Sequence, residues 1–313
     1  MHPVLITGST GLVGRALVPA LASRGFPLVL THRREPVVRL SGVSNIIVGD
    51  IGADTDWTEA LDGCKTVVHL AGQTPGRGAS VEALTTVNEH GTQRLAEQAA
   101  KAGVSKFVFL SSLHAVAAGH TVDMVTDTTP PRPTSIYGMS KLAAENHIER
   151  LNGDGFCAIS LRPPLVIDAQ AVGNWFLIQR LAASPLPLPV GRLRSKRSVI
   201  SLDNLVDAIM TLVIDERDAA AGGRFLLTDP QPVSLEEMIT LLRRGMERRR
   251  RIFSAPESLL RGGLCAVGKR ALANNLLGRL EIDGSGFCEK FDWSPKLSTA
   301  EGILKSARNF LKL

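Results

Sequence analysis

The chain has 313 residues, enough for one large α/β domain with a smaller lobe, and its 44% hydrophobic content supplies a real core. Cys64, Cys157, Cys265 and Cys288 show neither metal-ligand spacing nor a CxxC pair, which excludes a zinc module and leaves a reduced cytoplasmic setting. A formal net charge of +6 admits acidic partners, yet Arg248 to Arg251, beside Arg243 and Arg244, carry no interleaved aromatics, so they read as a solvated helix end and exclude nucleic acid.

Val4-Leu5-Ile6 is the first apolar run, and Leu12 to Ala22 continues at helical spacing. The opening residues enter this strand without a signal-peptide pattern, and no apolar stretch approaches the ~20 residues that span a bilayer. A soluble cytoplasmic protein with no membrane partner is expected. Further apolar runs at 27–30, 45–48, 66–70, 106–110 and 157–161 alternate with helix-like stretches at 58–61, 80–103 and 135–152. Such alternation predicts an α/β fold, a doubly wound parallel sheet covered on both faces.

After Arg162 the pattern changes. Pro163-Pro164 breaks the chain, and Ser184 to Pro189 alternates proline with apolar residues, as suits an irregular binding loop. Ser198 to Val213 reads as a strand and then a helix with Asp203 as its N-cap, and Arg224–Leu227 as a short strand. The expected division is a dinucleotide-binding domain over 1–165, rejoined by 196–220, and a smaller C-terminal α/β substrate lobe over 166–195 and 221–313.

Thr7-Gly8-Ser9-Thr10-Gly11-Leu12-Val13-Gly14 places three glycines between a strand and a helix. One glycine makes the tight turn, one lets backbone approach a pyrophosphate, and one lets helix and strand pack closely. The helix N-terminus then offers free N–H groups and its positive dipole end. NAD or NADP is the implied cofactor. The second strand ends in Thr31-His32-Arg33-Arg34 rather than an acid, which leans toward a 2′-phosphate. Asp50-Ile51 after the third strand and Leu70-Ala71-Gly72 after the fourth are further candidate cofactor contacts.

Tyr137 is the only tyrosine, and Lys141 follows it by four residues, on the same helix face. A phenol with a pKa near ~10 is a poor base until a nearby cation favours its ionised form. Lys141 is therefore expected to lower the Tyr137 pKa, so that Tyr137 takes the proton of a substrate hydroxyl. Ser112 ends the fifth strand, where its hydroxyl can orient the same oxygen.

Thr7–Gly14, Ser112 and the run Tyr137-Gly138-Met139-Ser140-Lys141-Leu142-Ala143-Ala144-Glu145 together resemble the extended short-chain dehydrogenase/reductase family, in its NAD-dependent epimerase/dehydratase branch. The resemblance implies a Rossmann sheet and covers nearly the whole chain. It makes Asn88 a brace at the active-site end of the sheet and sets Pro163 over the nicotinamide. It also implies that Asn174, Trp175, Arg197 and the loop around Leu188 hold the diphosphate and base of a UDP-sugar. A homodimer through the helices at 80–103 and 135–152 follows family habit. Two departures stand out: Ile167-Asp168-Ala169 replaces a Tyr-Gly-Pro turn, and Leu113-His114 replaces the Asp-Glu pair of dehydratases. His114 can titrate, but one histidine does not replace two carboxylates, so dehydration is disfavoured. The expected activity is that of a nucleotide-sugar 4-epimerase without a metal. An NADP-dependent reductase of a keto sugar or other small carbonyl compound is the alternative. A non-catalytic dinucleotide sensor is the third reading.

Overall fold

Alternating apolar residues that are all buried need cover on both sides of a sheet, and the strands here have it. The computed structural model describes residues 2–35, 42–74, 80–153, 155–215, 222–266, 268 and 270–313. The first half contains β1 (Val4–Thr7), α1 (Leu12–Ala22), β2 (Leu28–His32), β3 (Val43–Ile47), α2 (Thr58–Leu61), β4 (Thr66–His69), α3 (Val81–Thr85), α4 (Thr92–Lys101), β5 (Lys106–Leu110), α5 (Ile136–Glu149) and β6 (Cys157–Arg162). The remainder contains β7 (Leu165–Ile167), α6 (Asn174–Ala183), β8 (Lys196–Arg197), β9 (Val199–Ser201), α7 (Leu202–Ile214), β10 (Gly223–Leu226), β11 (Val233–Ser234), α8 (Leu235–Gly245), α9 (Glu257–Ala266), α10 (Arg270–Leu277), α11 (Ser285–Phe291) and α12 (Thr299–Phe310).

Seven strands form one sheet in the order β10-β6-β5-β4-β1-β2-β3, every pair parallel. The order reverses between β1 and β4, and ligands of such sheets bind beyond the strand ends at that switch point. Val4, Ile6, Val68, Val108 and Ile159 pack with α1 and α7 on one face. Their neighbours Leu5, Val67, Phe107, Phe109 and Ala158 pack with α2, α4 and α5 on the other. The period-two side-chain alternation of a strand thus feeds two cores.

A second core joins α6, α8, α10 and α12 around Trp175, Ile239 and Ile303. The expected lobe boundary at 221 needs correction, because β10 pairs with β6 in the main sheet and α11 packs Phe287 and Phe291 into the first core. Of the segment 196–220 expected to rejoin the domain over 1–165, residues 216–220 lie outside the described residues. Asp203 does not cap α7. Ser201, the extended last residue of β9, accepts the Asn204 N–H at 3.3 Å instead, and Asp203 sits in the first turn. Among the described residues no helix is long and apolar enough to cross a membrane.

Candidate active site

The turn after β1 is shaped by what its glycines leave out. Gly8 has φ +69°, and a Cβ there would stand 2.7 Å from the Ala71 backbone nitrogen at the end of β4. A Cβ on Gly14 would overlap the Gly8 carbonyl oxygen and Ser9, so this glycine closes helix onto strand. Gly11 caps α1 without a side-chain hydrogen bond, leaving its first N–H groups to a ligand. These gaps and donors fit a pyrophosphate. Gly8→Ala is expected to abolish dinucleotide binding and lower Tm, read by titration calorimetry and thermal melting.

A cavity of about 530 Å³ extends from this turn and is lined by Gly8, Thr10, Gly11, Thr31, His32, Arg33, Asp50, Ile51, Leu70, Ala71 and Gly72. Leu12 lines a second cleft instead, and Val13 is buried in the first core. The Arg33 Nη1 lies 3.5 Å from Asp50 Oδ1, both side chains well exposed, and Arg34 and Glu35 also line the cavity, so its rim carries charges of both signs. His32 Nε2 is tied to Asn45 Oδ1 at 2.8 Å on the adjacent strand. Arg33 thus meets an acid beside it, which blunts the preference for a 2′-phosphate read from the sequence.

Behind the cavity runs a buried hydrogen-bond chain whose direction can be assigned. Thr92 donates its single hydroxyl proton to the Asn88 carbonyl at 2.8 Å, so at 2.9 Å it must accept from His69 Nε2–H. His69 Nδ1 is then bare and accepts the Thr7 hydroxyl at 2.7 Å, while the Ala71 N–H donates to Thr7 at 3.1 Å. This needs a neutral imidazole, and burial lowers the His69 pKa to about 3. His114 is also pushed down, by burial and then by Arg197. His69 is therefore expected to stay neutral between about pH 5.5 and 7.5. Long-range ¹H–¹⁵N NMR should find His69 fixed as the Nε2–H tautomer.

The helix expected over 80–103 is interrupted. Thr86–Gly91 forms a π-turn between α3 and α4, packed so closely that a Cβ on Gly91 would overlap Ile51. This wider turn aims the fully buried Asn88 at the loop after β4. Its amide accepts the Gln73 N–H at 2.8 Å, donates to the Gln73 carbonyl at 3.0 Å, and donates to Ser140 Oγ on α5 at 3.2 Å. Asn88 thus braces the loop after β4 against α5.

Ser135 caps α5 by accepting the Gly138 N–H at 3.1 Å. Gly138 lets that helix press onto the single 3₁₀ turn Leu113–Ala115, because a Cβ there would overlap the His114 carbonyl. This contact brings Tyr137 to Ser112. Burial pushes the Tyr137 phenol up, and the hydrogen bond from Ser112 offsets part of that rise. The expectation that Lys141 lowers the phenol is not met. The lysine Nζ stands 4.6 Å from the Phe109 ring centroid and donates to the Leu110 carbonyl at 2.9 Å, and its pKa is lowered by burial to about 8. Gly72 leaves room for this ammonium, since a Cβ there would stand 3.3 Å from Nζ.

Tyr137 and Ser112 open onto the second cleft, of about 330 Å³, whose walls also include Leu12, His114, Pro163, Asn174 and Arg197. His114 stands edge-on to the Tyr137 ring, centroids 6.0 Å apart. Arg197 donates from Nη1 to the Gly278 carbonyl at 2.6 Å and from Nη2 to the Gly119 carbonyl at 2.9 Å. None of the described lining residues is a carboxylate.

Two substrate contacts expected from sequence lie elsewhere. Trp175 is fully buried in the second core and donates to Ser306 Oγ at 3.0 Å. Leu188 does not line the cleft, because its backbone N–H and carbonyl pair with Arg251 and Phe253. The same segment explains a third correction. Arg243 is not solvated but buried, with all five N–H groups on the carbonyls of Ala182, Ser184, Leu186, Arg250 and Arg251. It ties the proline-rich loop to the basic run. Thr74, Gly119, Asn275 and Leu280 line the cleft without having been anticipated, since no motif marks them.

The NAD dependent epimerase/dehydratase family pattern matches residues 4–227. UDP-glucose 4-epimerase of Vibrio cholerae is 32% identical over 316 residues, covering 99% of this chain and 95% of that protein. Ceramide reductase of Caulobacter vibrioides is 32% identical over 221 residues, 70% of this chain and 62% of that one. The crystal structure of UDP-glucuronic acid 4-epimerase from Bacillus cereus in complex with NAD superposes with a TM-score of 0.76 at 20% identity, covering 99% and 98% of the two chains. That structure shares the fold. With the cradle at Gly8, Gly11 and Gly14 already fitting a dinucleotide, this is an NAD(P)-dependent enzyme of the epimerase/oxidoreductase type. The chain belongs to the NAD dependent epimerase/dehydratase family.

Proposed function

We propose that the enzyme epimerises a nucleotide sugar, a UDP-hexose, at C4. The observation that carries this reading is the Ser112–Tyr137 pair opening onto a cleft with no carboxylate among its described lining residues, in a chain matched end to end by a 4-epimerase. The Gly8–Gly14 turn, Ala71, Gly72 and Lys141 would hold the dinucleotide, which when bound supplies a reversible hydride acceptor at the sugar carbinol. Ser112 hydrogen-bonds the reacting oxygen, and Tyr137 removes its proton as the carbinol becomes a ketone. After the ketone turns in the cleft and offers the other face of C4 for return of the hydride, Tyr137 gives the proton back to the oxygen, so the alcohol is restored with inverted configuration. Lys141, cationic below about pH 8, places its ammonium on the Leu110 carbonyl beside Gly72 of the cofactor cavity. Dehydration finds no carboxylate among the described cleft residues.

The test is incubation of the enzyme and NAD with UDP-glucose, followed by chromatography of the sugar nucleotides. UDP-galactose should accumulate to equilibrium without net change in the 340 nm absorbance. The reductase reading is favoured by Arg33 at the cavity rim and by the ceramide reductase match. It predicts steady consumption of NADPH with an added carbonyl substrate and no interconversion of UDP-sugars.

A further inference from the structure

We propose that Asn275 is a sugar-recognition residue, binding pyranose hydroxyls and so setting which carbon faces Tyr137. This rests on the nucleotide-sugar reading. Helix α10 divides its residues among three duties. Ala273, Leu276 and Leu277 are buried in the second core. Asn274 is held by the scaffold, accepting from Arg261 Nη1 at 2.9 Å. Asn275 lines the active-site cleft and makes no side-chain hydrogen bond to any described residue.

The wall around Asn275 is built to admit it. A Cβ at Gly119 would overlap Asn275 Oδ1, so glycine at 119 is what lets the amide occupy its position. A Cβ at Gly278 would stand 2.5 Å from His120 Cβ, so the end of α10 sits close on the same segment. Arg197 then clasps the two pieces together through the Gly119 and Gly278 carbonyls. Much of the remaining lining is apolar, including Leu12, Leu113, Val166, Ala171 and Leu280. An amide is neutral and both donates and accepts, which matches a hydroxyl group. A diphosphate is matched instead by a cation, and Arg197 supplies that.

The experiment measures UDP-glucose turnover and inhibition by UDP, which lacks the sugar, in wild type, Asn275→Ala and Asn275→Ser. Asn275→Ala should raise KM for UDP-glucose by about tenfold, while the UDP inhibition constant stays within about twofold. Asn275→Ser, which keeps a short hydroxyl, should recover part of the loss. It also serves as the test variant if the alanine protein does not fold. An unchanged KM overturns the inference, as does an equal loss of UDP affinity, which would put the contact on diphosphate or base. A wild-type enzyme that turns over no UDP-sugar overturns the functional reading instead. That outcome is visible before any variant is made.

Discussion

Tyr137→Phe is expected to lower kcat by about 10²–10⁴-fold while dinucleotide affinity stays within about twofold. The substitution keeps the ring, which packs edge-on against His114, and removes only the hydroxyl that meets Ser112. The cofactor cavity is lined by the glycine turn and the ends of β2, β3 and β4, and Tyr137 is not part of that lining. Binding and chemistry should therefore separate. Ser112→Ala should cost less, about 10-fold to 10²-fold, because it removes an orienting hydrogen bond and leaves the base in place. Steady-state kinetics with calorimetric NAD titration reads both effects. Turnover near wild type in the phenylalanine variant would remove Tyr137 from the mechanism.

The largest effect on stability should come from Glu145. Its carboxylate is fully buried and takes a fork from Arg162, Nε to Oε1 at 2.9 Å and Nη2 to Oε2 at 2.7 Å. It also accepts the Ser111 hydroxyl at 2.5 Å, and Arg224 on β10 stands 3.6 Å away. One carboxylate thus joins α5 to β5, β6 and β10, directly behind Ser112 and Lys141. Glu145→Ala leaves the Arg162 guanidinium, itself 1% exposed, without its hydrogen-bonded carboxylate. The loss should be about 3–5 kcal/mol, seen as a lower urea midpoint. Replacing both partners, with Glu145→Leu and Arg162→Met, should recover a large part of it, because desolvation of two charges is then avoided. If Glu145→Ala alone unfolds at the wild-type midpoint, the pair does not hold the sheet as described.

Much of the architecture was legible because strands buried on both faces are short continuous apolar runs, and the observed strands fall on those runs within a few residues. The glycine turn was equally legible, since its spacing answers steric demands at Gly8 and Gly14 that no other residue meets. The Tyr137–Lys141 spacing placed both on one helix face, but periodicity is silent on where a flexible lysine ends. Here it ends on the Leu110 carbonyl. The π-turn at Thr86–Gly91 was not legible, because a π-turn has no periodicity of its own over six residues. It ends at Gly91, where a Cβ would overlap the Ile51 side chain. Arg243 escaped because charge within a basic run suggests solvent, whereas five backbone carbonyls replace water around it. Trp175 escaped because adjacent helical residues point about 100° apart, so Asn174 faces the cleft and Trp175 the core.

In the proposed reaction the C4 carbinol is oxidised and re-reduced in place, with Tyr137 handling the proton. The direct measurement supplies UDP-glucose carrying deuterium at C4 and examines the product by mass spectrometry and NMR. UDP-galactose with deuterium retained at C4 is the expected product. Deuterium lost to solvent, or found in released NAD(P)H with no galactose formed, would contradict it.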